Sequence, residues 1–138
     1  MKTLSQLQDL TGRWALITGG AGHVGQTAAE TLLELGCKVI LLDRDEQGLM
    51  QAQSNLSKPG REQHIDTLCC DLAQRASMDV AIAQTQNLCR GKLDILMNNA
   101  AFVGTDKMKG WGVPFPEEDF DTWKACLDVN LASVFYLS

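Results

Sequence analysis

The chain has 138 residues, of which 45% are hydrophobic and 21% charged, enough for one globular domain with a core of its own. A formal net charge of -5 argues against a surface for nucleic acid or for an anionic membrane. No apolar run approaches the roughly 18 residues that would span a bilayer, so neither nucleic acid nor membrane is expected as a partner.

Met1 to Arg13 reads as a lead-in with a short amphipathic turn. Its polar, mixed start, Met1 to Thr11, does not have the form of a signal peptide. Trp14 to Thr18 is a first apolar strand, followed by the glycine cluster Gly19-Gly20-Ala21-Gly22-His23-Val24-Gly25. A helix is expected from about His23 to Leu35, with Ala28, Ala29, Leu32 and Leu33 on one face and Gly36 ending it. Lys38 to Leu42 is a second strand that stops on Asp43. A helix over about Glu46 to Asn55 ends at the Lys58-Pro59-Gly60 turn.

A third strand, about Ile65 to Cys70, also stops on a carboxylate, Asp71. The next helix is expected to start near Ser77 as N-cap, with Asp79 in its first turn, and to end before Gly91. Leu93 to Met97 is a fourth strand, running into Asn98-Asn99-Ala100-Ala101. The loop Phe102 to Pro116 leads to a last helix that begins near Glu117 to Asp119 and reaches Ser138.

Strands alternating with helices of this length predict an α/β fold: a Rossmann-type, doubly wound parallel sheet of about four strands in a three-layer α/β/α sandwich. In such a sheet a ligand lies beyond the carboxyl ends of the strands. Those ends carry Thr18-Gly19, Asp43, Asp71 and Asn98-Asn99, so the polar punctuation gathers along one edge.

The first strand, glycine turn and helix also fit a dinucleotide-binding unit. Gly20, Gly22 and Gly25 match G-x-G-x-x-G. One glycine permits the tight turn, one lets the backbone approach a pyrophosphate, and one lets the helix pack close to the sheet. The helix start turns its unpaired N–H groups and the positive end of its dipole towards the phosphates. Asp43 follows Gly25 by 18 residues, close to the spacing of a carboxylate that accepts from adenosine ribose hydroxyls. Its charge would repel a 2′-phosphate, so NAD is favoured over NADP. Arg44, able to hold a 2′-phosphate, is the argument the other way.

The five cysteines, Cys37, Cys69, Cys70, Cys89 and Cys126, are odd in number and irregularly spaced, with no C-x-x-C pair and no histidine near a cysteine cluster. Buried, reduced thiols in a cytoplasmic protein are expected, and no metal site.

The whole pattern resembles the short-chain dehydrogenase/reductase family. Thr18-Gly19 through Gly25 is similar to its glycine motif. Asp94 to Ala100 is similar to its Asn-Asn-Ala-Gly strand, with Ala101 in place of the last glycine. Trp123 and Asp128-Val129-Asn130-Leu131 are similar to the segment bearing its active-site asparagine. The classical branch spaces its glycines T-G-x-x-x-G-x-G, and His23 stands where the middle one belongs. The spacing T-G-x-x-G-x-x-G, through Gly19, Gly22 and Gly25, is commoner in the extended branch that modifies sugar nucleotides. The double asparagine is a classical feature, so the chain is read as classical-type with a variant glycine loop.

The resemblance implies a hydride transfer between nicotinamide and a carbonyl or alcohol carbon of a small-molecule substrate. It implies that Gly19, Gly22, His23, Val24 and Gly25 hold the pyrophosphate and that Asp43 holds the adenosine ribose. Asp71 and Leu72 would flank the adenine, and Asn99 and Ala100 would pass a ribose. Asn130 would help hold a water in a proton relay. Structural roles stand beside these: Asp71 as a cap of the third long helix, Asn98 as a stitch between strands, Asn130 as a polar residue tolerated in a helix. The family's catalytic tyrosine and the lysine four residues after it come tens of residues beyond the asparagine, whereas eight residues follow Asn130 here. Tyr136, the sole tyrosine, reads as a packing aromatic.

The chain is therefore expected to be the N-terminal, cofactor-binding part of a longer enzyme, inactive alone. The last helix would expose Leu127, Leu131, Val134 and Phe135, and family members often pair through this helix, so a homo-oligomer is expected. Two other functions stay open: a non-catalytic dinucleotide-binding module, and a sugar-nucleotide epimerase or dehydratase. The Phe102 to Pro116 loop either covers a substrate or is a solvent loop.

Overall fold

The structure, a computed structural model, describes residues 3–59, 64–104 and 108–138. Gly60, part of the expected turn, and positions 105–107 of the long loop lie outside the described residues.

A short helix, α1 (Leu4–Gln8), opens the fold, capped by Thr3 and Gln6. The strands are β1 (Trp14–Thr18), β2 (Lys38–Asp43), β3 (Ile65–Cys69) and β4 (Ile95–Met97). Between them run α2 (His23–Glu34), α3 (Glu46–Leu56) and α4 (Arg75–Leu88). A 3-10 turn at Phe115–Glu117 precedes the last helix. That helix is continuous but changes pitch: α5 (Phe120–Leu127), a π turn (Asp128–Ala132), then α6 (Ser133–Leu137). Among the described residues no helix is long and apolar enough to cross a membrane.

All pairings are parallel and the strand order is β3-β2-β1-β4. The chain winds outwards from β1 to β3, then crosses back to place β4 on the other side of β1, opposite Ala15 to Ile17. The order reverses between β1 and β4, and a crevice opens there at the carboxyl ends of the strands.

Each strand supplies both faces of the sheet, because successive side chains alternate. Ile17, Val39, Leu41 and Ile65 pack under α2 and α3, against Ala29, Leu33, Leu49 and Ala52. Leu16, Ile40, Leu42 and Leu68 pack on the other side, against Met78 and Ala81 of α4, with Val129, Tyr136 and Leu137 of the last helix alongside. This is the expected three-layer α/β/α arrangement. Helices on both faces explain why β2 is an unbroken apolar run rather than an alternating one. Ile17, Ile40, Leu41 and Leu42 are wholly enclosed, and each such burial stabilises by about 1.5–3 kcal/mol.

Several expected boundaries move. α4 starts at Arg75, with Gln74 at the N-cap and no side-chain cap, so Ser77 is not the cap. The Asp71 carboxylate accepts from the Ala73 N–H (2.9 Å) and the Asp71 carbonyl from the Gln74 N–H (3.0 Å), a tight turn that starts the helix early. Ser77 Oγ, now within the first turn, accepts from the Asp71 N–H at 3.0 Å. β3 ends at Cys69 rather than Cys70. β4 begins at Ile95 rather than Leu93, because the Asp94 side chain, not a ladder carbonyl, takes the Trp14 N–H at 3.0 Å. The last helix begins after Asp119, whose carboxylate accepts from the Asp121 and Thr122 N–H groups.

All five cysteines are free thiols. Cys37, Cys70 and Cys89 are buried as expected, but Cys69 is exposed, since it closes β3 at the solvent end.

Candidate functional site

The glycine turn leaves β1 at Gly19, which sits at φ +66°, a left-handed conformation that side chains resist. A Cβ there would also lie 2.9 Å from the Ala100 Cα and the Asn99 Nδ2. Gly25 is buried in the first turn of α2, and a Cβ on it would run into the Gly19 carbonyl oxygen. Helix and turn thus touch backbone to backbone. Gly22 is the N-cap of α2 and offers no side-chain cap, while Gly22, His23 and Val24 are exposed. The start of a 12-residue helix is therefore open to an anion.

The end of β4 is held to this turn by Thr18 and Asn99. Thr18 Oγ1 accepts from the Asn99 and Ala100 N–H groups, each at 3.0 Å, and faces the Met97 carbonyl at 3.4 Å. Asn99 Nδ2 donates to the Thr18 carbonyl at 3.0 Å and the Gly19 carbonyl at 3.3 Å. The stitching proposed for Asn98 is done by Asn99, whereas Asn98 Nδ2 reaches Ser138 Oγ at 3.5 Å. The sequence places Thr18 at a polar strand end and in the glycine motif but assigns its hydroxyl no role. A hydroxyl on the last residue of a strand, directly before the glycine turn, was the available signal.

Asp43 closes β2. Its Oδ2 accepts from the Ala21 N–H and its Oδ1 from the Asp45 N–H, both at 3.1 Å. Next along the edge, Asp71 shapes the turn after β3, and Leu72 is buried beside it.

These groups surround a cavity of about 250 Å³ beyond the carboxyl ends of the strands. Gly19, Asp43, Asp71, Leu72 and Ala100 all line it, five of the residues expected at a site. Arg44, Cys70 and Ala73 join them from the β2 and β3 ends, Phe102, Val103, Gly104 and Met108 from the long loop, and Ala125 and Val129 from the last helix. Burial pushes the Cys70 thiol up, so it is protonated at neutral pH. Gly22, His23, Val24, Gly25, Asn99 and Asn130 are not in the lining. His23 and Val24 instead border an open groove on α2, with Thr27, Ala28 and Thr31.

Asn130 lies inside the π turn, a local widening often found at functional sites. Its Oδ1 accepts from the Phe102 N–H at 2.6 Å, and its Nδ2 donates to the Phe102 carbonyl at 3.2 Å. The amide thus fixes the loop at the cavity wall. Trp111 meets Phe102 edge-on at 5.3 Å. Tyr136 packs on the core as expected, but its hydroxyl is also engaged: it donates to Asp79 and accepts from Arg75 Nε. Among the described residues no three His, Cys, Asp or Glu side chains stand together as a metal cage.

Residues 13–138 match the family described as short chain dehydrogenase. Over 127 residues the chain is 35% identical to the rhamnolipids biosynthesis 3-oxoacyl-(acyl-carrier-protein) reductase of Pseudomonas aeruginosa, an overlap of 92% of this chain and 45% of that protein. Two solved structures superpose well. One is a Pseudomonas aeruginosa RhlG/NADP active-site complex, with 31% identity, TM-score 0.77, and 94% of this chain against 46% of that one. The other is an NAD+-bound xylitol dehydrogenase, with 25% identity, TM-score 0.77, and 92% of this chain against 45% of that one. The chain spans just under half the length of each.

Proposed function

This chain belongs to the short-chain dehydrogenase family, and we propose that it forms the dinucleotide-holding part of an NAD-dependent oxidoreductase. The observation that carries this reading is the cavity on the carboxyl edge of the sheet, where Gly19, Asp43, Asp71, Leu72 and Ala100 converge. The residues fit the group. A Cβ has no room at Gly19, and the open start of α2 at Gly22, His23, Val24 and Gly25 suits a pyrophosphate. Asp43 holds the adenosine ribose, Asp71 and Leu72 flank the adenine, and Asn99 and Ala100 shape the path of the second ribose. When bound, the dinucleotide supplies hydride exchange with a carbonyl or alcohol carbon of a small-molecule substrate.

The Phe102 loop covers that end of the cavity. Asn130 positions Phe102, so a water it helps to hold in a proton relay uses atoms that this pairing leaves over. Tyr136 does not line the cavity, which leaves the general acid/base of the reaction unassigned within these residues and supports the expectation that they bind without turning over. The same fact favours the second reading, a dinucleotide-binding module without catalysis. Binding without turnover is expected under both, so a Tyr-x-x-x-Lys pair encoded downstream in the gene is what separates them. The glycine spacing alone supports a sugar-nucleotide epimerase or dehydratase, and the family match favours the dehydrogenase reading over it. A homo-oligomer joined through the last helix, in a cytoplasmic setting, completes the proposal.

The relatives include an NADP complex and an NAD+ complex, so the preference here rests on Asp43, whose charge opposes a 2′-phosphate. Calorimetric titration with both dinucleotides tests it. NAD is expected to bind more tightly, and tighter NADP binding would overturn the assignment.

A further inference from the structure

Asp43 is already occupied before any ligand arrives. The β1–β2 ladder runs on into the glycine turn, where the Gly20 N–H donates to the Leu42 carbonyl at 3.1 Å. The next donor, the Ala21 N–H, meets no ladder carbonyl. It meets Asp43 Oδ2 at 3.1 Å. The side chain therefore ties down the turn directly beyond the last rung of the ladder. The other oxygen is fixed too, accepting from the Asp45 N–H at 3.1 Å. A carboxylate offers about four acceptor positions, so one on each oxygen is left, and Asp43 lines the cavity.

We propose that Asp43 is a positioning residue for the glycine turn as well as a ribose acceptor, so that its loss disables binding of both dinucleotides instead of exchanging one for the other. This inference rests on the dinucleotide reading above. Its chemical basis is that both partners of the side chain are donors. An asparagine of the same shape presents one oxygen and one N–H donor. Whichever way it turns, one backbone N–H faces another donor. Either the Ala21 tie or the Asp45 tie is lost, and the turn that receives the pyrophosphate loses a constraint. Relaxed specificity then has to come from neighbours such as Arg44, with Asp43 kept.

Amide hydrogen exchange in the dinucleotide-free protein reads the first half directly. The Ala21 N–H, in a turn at the protein surface, is expected to exchange slowly, and exchange at the unprotected rate would overturn the proposal without any variant. Asp43→Asn reads the second half. It is expected to lower Ala21 protection while the Ile40 amide in the middle of β2 keeps its own, and to weaken NAD by a factor of roughly ten or more, with NADP weakened as well. Retained Ala21 protection with weaker NAD and equal or tighter NADP would show that Asp43 acts on the ribose alone. If the unaltered protein bound neither dinucleotide, the functional reading would fail, and the Ala21 exchange would still decide whether the side chain holds the turn.

Discussion

Thr18 and Gly25 show how few atoms hold the site. The Thr18 hydroxyl, on a residue that is 1% exposed, satisfies two main-chain donors from the end of β4. Valine has the same shape and no acceptor, so Thr18→Val leaves the part-buried Ala100 N–H without its partner and the Asn99 N–H with the Met97 carbonyl alone. The expected loss is about 1–3 kcal/mol, read as a lower urea midpoint with an unchanged slope. An unchanged midpoint would mean that the hydroxyl is replaceable by water. Gly25→Ala sets two effects against each other. Alanine raises helix propensity by about 1 kcal/mol, but its Cβ meets the Gly19 carbonyl, which belongs to backbone and has no rotamer to escape into. The clash is expected to win, giving a lower melting temperature and loss of NAD binding in the same variant. A more stable Gly25→Ala protein that still binds NAD would show that the turn and helix are not in contact. The glycines and Asp43 could be read from their spacing to one another along the chain. Thr18 could not, because its partners lie 81 and 82 residues away along the chain.

At the scale of elements, the sheet is bounded by polar side chains that replace missing rungs, and this gives stability a pH dependence. Asp94 accepts from the Trp14 N–H while its own N–H donates to the Trp14 carbonyl at 3.0 Å. That hydrogen bond, chiefly, holds its carboxyl below the ordinary carboxylate value, with Lys92 adding to the effect. A carboxylate held low in the folded state stabilises fully above its unfolded value of about 4. That contribution is lost as the pH falls through the lower, folded value. Asp94→Asn is therefore expected to be less stable than the unaltered protein at pH 7, with the gap closing in strong acid, as followed by urea unfolding across pH. A gap that stays constant would place the effect in packing rather than charge. The same device explains why β4 was read two residues too long, since the apolar pattern begins at Leu93 but the ladder does not. The α4 start was misread for a related reason: Ser77 has the chemistry of a cap, and the Asp71 turn uses it instead. The π turn at Asp128–Ala132 left no mark in the periodicity, because one widened turn barely shifts an apolar stripe over a helix of this length.

Over the whole molecule, the two cores are complete where helices cover the sheet, and the last helix is covered on one side only. Phe120 and Phe135 are 73% and 84% exposed, with Trp123 and Leu131 exposed on the same helix. The outward residues expected from the sequence included Leu131 and Phe135, and these are the ones in solvent, while Leu127 and Val134 are half-buried. Association of two copies through this helix would remove that surface from water. Phe135→Asp is expected to shift the protein towards monomer in sedimentation velocity, with the helical circular dichroism unchanged, and a monomeric unaltered protein would contradict the pairing. The layer architecture and the polar edge were legible because alternating strands and helices leave few topologies open. What faces the cavity from the long loop was not, since a loop without periodicity gives no register. The account stands on the dinucleotide lying along the carboxyl edge of β3, β2, β1 and β4, and residue-resolved amide shift mapping during an NAD titration tests that most directly. The largest shifts are expected at Gly19, Gly22 to Gly25, Asp43, Asp71, Leu72 and Ala100, and shifts confined to the opposite edge of the sheet, or none at saturating NAD, would contradict it.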